Sequence, residues 1–292
     1  MTDANAEPVS GRPTAPWRKT LRRLFGHRGF VIGAVILVIM LVIAVAGVLG
    51  VTGDPLAISY KSRLVPPSQE FLFGTDHYGR SIFTRVMAGA HLSLVIGASV
   101  VAITAVLGTL IGAAAGYFQR LDGIIMRSMD ALMAFPPLML AIAIAAALGM
   151  GLVNLVVALG VTYTPRTARI ARAAVLGVRR AEYVESARLS GASDSRIILR
   201  HILPNSMAPL VVDLTFVFAY AILAEAALSF LGVGPPPPTP TWGNIIAEGR
   251  DYMVEAPWIS IFPGLIIAFT VLGLNMLGDG LRDVLDPRLN AS

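Results

Sequence analysis

Long apolar stretches alternate with polar segments along most of the chain, and their lengths predict helices that cross a lipid bilayer. A spanning helix needs about 20 predominantly apolar residues. Six stretches approach or exceed this length, and they cover residues 30–50, 92–118, 129–150, 152–164, 207–231 and 259–277. The fourth stretch is short unless its helix continues past Pro165, with Arg166, Arg169 and Arg172 reaching toward the headgroups. The pattern therefore predicts an all-α integral membrane protein with six transmembrane helices.

The first apolar stretch is the clearest one, and a polar tail of 28 or so residues precedes it. A secretory signal peptide has an apolar region of only about 7–15 residues. We therefore expect an uncleaved anchor rather than a signal peptide. The predicted organisation is a cytoplasmic tail at 1–28, a first transmembrane helix at 29–50, an external loop at 51–90, a transmembrane core at 91–282 and a cytoplasmic tail at 283–292. The external loop is expected to contain a short amphipathic helix that includes Arg85.

Composition supports a membrane protein and explains its basic charge. Hydrophobic residues make up 55% of the chain and charged residues 14%, against about 25% charged in a typical soluble domain. The net charge of +5 could indicate nucleic-acid binding. With the N-terminus placed in the cytoplasm, however, 18 of the 23 lysines and arginines face the cytoplasm, as the positive-inside rule requires. The charge thus predicts an inner-membrane protein with both termini cytoplasmic and no nucleic-acid partner.

The residues needed for common catalytic sites are missing. Neither of the two lysines, Lys19 and Lys61, ends a Gly-x-x-x-x-Gly-Lys pattern, so the chain has no P-loop for ATP. The four histidines are scattered, and the chain has no cysteine and no Gly-x-Ser-x-Gly motif. We expect no catalytic residue, no metal site and no enzyme activity in this chain.

The polar segment between the fourth and fifth stretches has the pattern of two short helices rather than that of a loop. Residues 181–190 are helical in pattern, with acids in the first turn where the helix dipole favours them. Gly191 is a natural helix end, and a second short helix is expected to run to His201, separated from the next span by Pro204. Its apolar residues either pack on the protein's own helix ends or enter a cleft of a partner. They are Tyr183, Val184, Ala187, Leu189, Ile197 and Ile198.

This segment resembles the "EAA" loop of the ABC importer permeases, in which a coupling helix docks on a cytosolic ATPase. The resemblance lies in Glu185-Ser186-Ala187, Gly191 and the run His201-Ile202-Leu203-Pro204. Ser186 stands where the general pattern has Ala, and His201 where it has Ile, but residues 200–205 match the peptide-importer branch. For the coupling segment 181–204, the resemblance implies ATPase coupling through Tyr183, Glu185, Ser186, Ala187, Gly191, His201, Leu203 and Pro204.

Further motifs resemble the same branch over roughly residues 20 to 290. They lie at residues 73–80, 135–136, 228–232, 242–243 and 278–283. The resemblance implies a type I ABC importer fold and one of two permease subunits for dipeptides or oligopeptides. It implies as partners a homologous permease, two ATPase subunits that hold ATP and magnesium, an external substrate-binding protein, the peptide and the lipid membrane, with no cofactor in this chain. Nickel, haem or another solute is the alternative cargo. An ATP-independent secondary transporter is the more remote alternative, and the internal repeat that it would predict is not seen.

Polar residues inside the predicted spans are candidates for the translocation path or for pairing between helices, because they are costly in lipid. These residues are Asp130, Asp213, Glu225 and Asn275. Asp213 and Glu225 are twelve residues apart, which places them about 120° apart around one helix. Arg127 or a residue of a partner subunit is a candidate partner for such an acid.

On the external side, four residues are expected to contact the binding protein, namely Asp76, Arg80, Pro236 and Trp242. Pro236 belongs to a run of four prolines at 235–238, which predicts a stiff extended segment. This run is either a rigid spacer or a docking surface, and Trp242 beside it is expected to be an exposed interface anchor.

Overall fold

The computed structural model describes residues 16–285, with side chains from residue 20 onward, and its long elements are all helices. The helices are α1 (Pro16–Gly26), α2 (Arg28–Val48), α3 (Ile82–Tyr117), α4 (Gln119–Met133), α5 (Pro137–Leu148), α6 (Leu152–Arg179), α7 (Glu182–Leu189), α8 (Asp194–Ile197), α9 (Leu203–Phe230), α10 (Trp242–Gly249) and α11 (Trp258–Leu285). Short 3₁₀ turns occupy Tyr60–Ser62 and Arg250–Tyr252, and a π turn occupies Ile198–Ile202. The predicted tails, 1–28 and 283–292, lie partly outside the described residues.

Four helices of this part of the chain are long and apolar enough to cross a membrane. They are α2, α3, the continuous helix Asp194–Phe230 that ends with α9, and α11. The bent pair of α4 and α5 raises the number to five if it forms one span. The helix that begins at Leu152 does continue past Pro165 to Arg179, as predicted, but it is not among these four helices. The protein is therefore an all-helical membrane protein with four or five candidate spans by this criterion.

Helix α3 begins ten residues earlier than the apolar pattern predicts. Ser81 caps it by accepting a hydrogen bond from the backbone N–H of Thr84 at 3.4 Å. The expectation of a separate amphipathic helix in the external loop is wrong, because that stretch forms the first turns of α3. The charge of Arg85 interrupts the apolar pattern and suggests an exposed residue, whereas its side chain is fully buried inside the protein.

The predicted third span, residues 129–150, is not one straight helix. It is divided between α4 and α5, which meet at an angle of 92°. Two consecutive prolines, Pro136 and Pro137, stand at the break. Proline lacks the backbone N–H of a helix interior and disfavours helical geometry in the residue before it. Helix α4 has no buried residue, so it lies along the surface of this chain.

Helices α3 and α6 pack against each other with very close backbone contact. Gly108, Gly112 and Gly116 occur at four-residue spacing on α3, and all three are buried. A Cβ atom on Gly112 would lie 2.3 Å from the carbonyl oxygen of Ala168 on α6. Small residues at this spacing allow two membrane helices to approach closely. The glycines therefore fix α3 and α6 as one unit.

Candidate functional site: the cytoplasmic segment and its charged neighbours

The predicted pair of short helices is present as α7 and α8, with Gly191 between them. Gly191 has a φ angle of +79°, which an L-residue rarely adopts. The expected break at Pro204 is wrong, since α8, the π turn and α9 form one helix. The backbone N–H of Leu203 donates to the carbonyl of Ile198 within this π turn. Pro204 follows this π turn directly, and the altered hydrogen-bond pattern of the turn accommodates a residue that has no backbone N–H.

One face of this segment is anchored on the protein itself. Val184, Ile197 and Ile202 are fully buried, in a cluster that includes Tyr117 of α3 and Val175 of α6. Burying side chains of this size stabilises their position by about 1.5–3 kcal/mol each. The segment is therefore held firmly on the ends of α3 and α6.

Tyr117 is the polar centre of this attachment, and the sequence analysis missed it. Its hydroxyl donates to Asp194 Oδ1 at 2.5 Å, at the first residue of α8. The guanidinium groups of Arg179 and Arg188 lie over its ring, with Cζ 5.6 and 5.8 Å from the ring centroid. In the sequence, Tyr117 ends an apolar run and is followed by Phe118 and Gln119, which is the pattern of an ordinary interfacial tyrosine. Only the tertiary structure shows its partners.

The opposite face of the segment is exposed and partly apolar. Leu189 is 84% exposed, Leu199 66% and Tyr183 45%. Among the other predicted coupling residues, Glu185, Ser186, Gly191 and Pro204 are exposed, whereas Ala187, His201 and Leu203 are partly buried. The two alternatives for the apolar set therefore apply to different residues, because one face packs on this chain and the other is free for a partner.

Three arginines on α6 form ion pairs with three aspartates on other helices. Arg166 Nε lies 3.0 Å from Asp213 Oδ1 on α9. The next two, at three-residue spacing, pair with α4: Arg169 with Asp130, and Arg172 with Asp122 through two hydrogen bonds of 2.5 Å. Carboxylates of this chain therefore neutralise the three arginines, and their reach toward lipid headgroups stays a prediction.

Two of the predicted path residues take part in these ion pairs. Asp213 is 3% exposed and additionally accepts a hydrogen bond from the Thr167 hydroxyl at 2.7 Å. Its partner is Arg166 rather than the expected Arg127. Asp213 and Arg166 line a cleft of about 520 Å³ between α6, α9 and α11. Asp213 and Asp130 thus pair between helices, the first at the wall of a cleft and the second at the surface.

The other two path candidates have different surroundings. Glu225 is fully buried, and its Oε1 accepts hydrogen bonds from the hydroxyls of Ser229 and Thr241 at 2.9 and 2.8 Å. The bond from Thr241 therefore attaches α9 to the loop that precedes α10. Asn275 lies half-buried on α11.

We expect Asp213→Asn to reduce transport of every substrate alike. An amide has one oxygen and cannot accept from both Arg166 and the buried Thr167 hydroxyl, as the two carboxylate oxygens do. The change therefore costs about 1–3 kcal/mol, as for a buried polar group that loses its partner. The matched control is Asp130→Asn, because both side chains of the Asp130–Arg169 pair are about half exposed and such pairs contribute about 0–1 kcal/mol. The measurement is uptake of two competing substrates in reconstituted vesicles. A changed ratio between the substrates, without a loss of rate, would contradict this role.

A second charged cluster lies at the first turns of α3 and is buried. Asp76 Oδ2 accepts hydrogen bonds from Arg80 Nε at 2.6 Å and from Arg85 at 2.9 Å. Glu248 of α10 completes it, accepting two hydrogen bonds from Arg85 at 2.7 and 2.9 Å. Burial lowers the pKa of the neighbouring His77, so its ring stays neutral near pH 7 and adds no charge. Two acids and two arginines therefore balance within the protein.

This cluster corrects the expected external contacts. Asp76 is 0% and Arg80 5% exposed, so both hold the external loop together and are not presented to a partner. The prediction that Trp242 is an exposed anchor is also wrong. Trp242 is fully buried, and its Nε1 donates to the carbonyl of Val86 at 3.0 Å. Pro236 is exposed, as expected.

The proline run is a folded turn rather than a stiff extension. The side-chain amide of Asn244 donates to the carbonyls of Pro235 and Thr239 at 2.8 and 3.0 Å. These two bonds hold both ends of the run against α10. The run therefore has a fixed position beside α10, with Pro236 exposed at its surface.

Comparison with known families agrees with this architecture. Residues 105–291 match the family described as the binding-protein-dependent transport system inner membrane component. Residues 15–67 match the N-terminal transmembrane domain of oligopeptide transport permease C.

Relatives with names match over nearly the whole chain. A putative peptide transport system permease protein of Brucella abortus is 57% identical over 270 residues, covering 92% of this chain and 91% of the relative. The dipeptide transport system permease protein DppC of Alkalihalophilus pseudofirmus is 40% identical over 292 residues, covering 99% and 96%. The glutathione transport system permease protein GsiD of Escherichia coli is 42% identical, covering 94% and 91%.

Among solved structures, an inward-facing form of the MetNI methionine ABC transporter matches with a TM-score of 0.57 at 19% identity, over 69% of this chain and 96% of that chain. At this identity the likeness concerns the fold. It agrees with the helical packing described above. The chain therefore belongs to the binding-protein-dependent transport system inner membrane components, and it is a multi-pass, non-catalytic permease subunit of an ABC transport system in the inner membrane.

Proposed function

We propose that this permease subunit imports dipeptides or oligopeptides across the cytoplasmic membrane by alternating access. The relatives above are named for peptide, dipeptide and glutathione transport, which supports a short peptide as cargo. In this proposal the chain has six spans, with the bent α4–α5 pair and α6 added to the four long apolar helices, and both termini are cytoplasmic. ATP and magnesium are held by two ATPase subunits, with a homologous permease and an external binding protein completing the assembly.

The observation that carries the proposal is the two-sided character of the segment from α7 to the π turn. One face is locked on α3 and α6 by buried apolar side chains and by the Tyr117–Asp194 hydrogen bond. The other face presents Leu189 and Leu199, which are largely exposed. A segment that is rigid on one side and apolar on the other can receive a movement from a partner and pass it to the spans.

The mechanism then follows as a two-state equilibrium that is biased from a distance. Closure of the ATPases on ATP displaces the segment as one body. Because the segment is fixed to α3 and α6, and α6 is ion-paired to α4 and α9, the displacement reaches the helices around the cleft at Asp213. The cleft is where we place the inner end of the peptide path.

Two single-cysteine variants test the proposal, and the chain contains no cysteine that would give background labelling. Leu189→Cys is placed on the coupling face, and Val254→Cys, 97% exposed, in the loop after α10. We expect a membrane-impermeant thiol reagent to label position 254 in cells with an intact inner membrane and position 189 only after permeabilisation. Bifunctional crosslinking should capture the ATPase from 189 only. Labelling of 189 from outside, or ATPase capture from 254, would contradict the proposed orientation.

A further inference from the structure

The corner between α3 and α4 and the neighbouring segment enclose a group of arginines that the transport mechanism does not use. A cavity of about 530 Å³ is lined by Arg120, Arg179 and Arg188, beside Gln119. It adjoins a cavity of about 270 Å³ that shares Arg179, Arg188 and Gln119 and adds Arg180. Four arginines therefore line two adjoining cavities.

The acids around these cavities are fewer than the arginines. Asp194 lines the larger cavity and Glu185 the smaller one, and Asp194 already accepts the Tyr117 hydroxyl. The nearby Asp122 is bound by Arg172. In the part of the chain that the structure describes, no ion pair joins any of the four arginines to a carboxylate. Two positive charges remain in excess, and they favour an anion.

Exposed apolar side chains lie directly beside this cluster. Phe118 is 40% exposed, Leu121 46% and Ile124 71%, and the first two line the larger cavity. The cluster also lies where a candidate membrane span ends, since Tyr117 is the last residue of α3. In the orientation proposed above, this is the level of the headgroups of the cytoplasmic leaflet. A soluble phosphate would not cover the apolar residues, whereas the acyl chains of a lipid would.

We propose that these cavities bind an anionic phospholipid of the cytoplasmic leaflet. Guanidinium groups bind phosphate through two parallel hydrogen bonds, which an arginine cluster offers several times over. The acyl chains lie along Phe118, Leu121 and Ile124. Arg179 and Arg188 also pack on the ring of Tyr117, whose hydroxyl holds Asp194. A bound lipid phosphate therefore stabilises the attachment of the cytoplasmic segment to α3.

The test uses the whole transporter complex in nanodiscs and compares two variants with a matched control. Arg120→Gln combined with Arg180→Gln removes two of the four cations, and Arg120→Lys combined with Arg180→Lys keeps the charge. The control is Arg127→Gln, an exposed arginine of the same α4 that lines neither cavity. The probe is fluorescent phosphatidylglycerol at increasing density in phosphatidylcholine discs, with fluorescent phosphatidylcholine measured in parallel.

We expect the double glutamine variant to bind phosphatidylglycerol about 25-fold more weakly, because each arginine near an anionic surface contributes about 1 kcal/mol, or about a factor of five. The double lysine variant should bind more weakly than the unchanged chain but more tightly than the double glutamine variant, because it keeps the charge and loses the parallel hydrogen bonds. Arg127→Gln should bind within about twofold of the unchanged chain. Phosphatidylcholine binding should not change, and inorganic phosphate should not displace the lipid.

Three results would overturn the proposal. Equal weakening in Arg127→Gln would show a general effect of surface charge. Displacement by inorganic phosphate alone would identify a soluble anion as the ligand. Loss of the ATPase subunits from the double glutamine variant, with lipid binding unchanged, would identify the cluster as a protein interface.

Discussion

Gly191→Val is expected to leave an inserted, assembled transporter that moves little substrate. Gly191 has a φ of +79°, and no other atom lies near the position that its Cβ would take. The cost of valine there is thus backbone strain and not a clash, and it is about 2 kcal/mol. Strain of this size shifts a two-state balance by about thirtyfold. The bend relaxes, and the exposed face that Leu189 and Tyr183 form changes its shape.

The measurement is ATPase activity and its stimulation by the loaded binding protein in reconstituted vesicles. Gly177→Val is the matched control, because Gly177 also has free space around its Cβ position but lies within the helical backbone of α6. Gly191→Asn should restore much of the activity, since asparagine tolerates the left-handed conformation. Stimulation of the valine variant at the level of Gly177→Val would show that the bend carries no coupling.

Glu248→Gln is expected to lower the stability of the protein strongly, because Glu248 belongs to the buried ion cluster with Asp76, Arg80 and Arg85. It leaves the fully buried Arg85 and the nearly buried Arg80 with only Asp76 as a charged partner. Removing one member of a buried ion cluster costs about 3–5 kcal/mol. Because the Glu248 side chain is 16% exposed, we expect a loss of about 3 kcal/mol, at the lower end of this range. The contact between the first turn of α3 and the last turn of α10 is then weakened.

Thermal unfolding of the purified protein in detergent measures this loss. Glu255→Gln makes the same chemical change at an exposed position a few residues further along the chain. This variant should unfold at the same temperature as the unchanged chain. Equal unfolding of the two variants would mean that water already screens the cluster.

The sequence predicts the long helices well because their burial in lipid is a local property of the chain. The expected first span agrees with Arg28–Val48 to within a few residues at both ends. The expected last span agrees with the start of Trp258–Leu285, but the helix continues further at its C-terminal end. Gly191 is predicted equally well, since a glycine between two helical patterns has a local physical reason. In both cases a short window of residues contains all the information needed.

Contacts between distant residues account for the errors. Arg85 and Glu248 are 163 positions apart, and their pairing makes a charged stretch part of a buried helix. Trp242 and Val86 are 156 positions apart, and their hydrogen bond turns an expected surface anchor into a core residue. The arginines of α6 likewise find aspartates 39 to 50 positions away. Hydropathy and motif patterns do not contain such pairs.

The unbroken length of α3 has a mechanical consequence. Its 36 residues span about 54 Å from Ile82 to Tyr117. The ion cluster around Asp76 and Glu248 fixes one end through Arg85, and the Tyr117–Asp194 hydrogen bond fixes the other. The glycine contact with α6 stiffens the part between them. Such a helix acts as a lever, in which a tilt of about 5° at one end moves the other by about 5 Å. Opening on one side of the membrane and closing on the other can thus be a single rotation, with no relay of side chains between them.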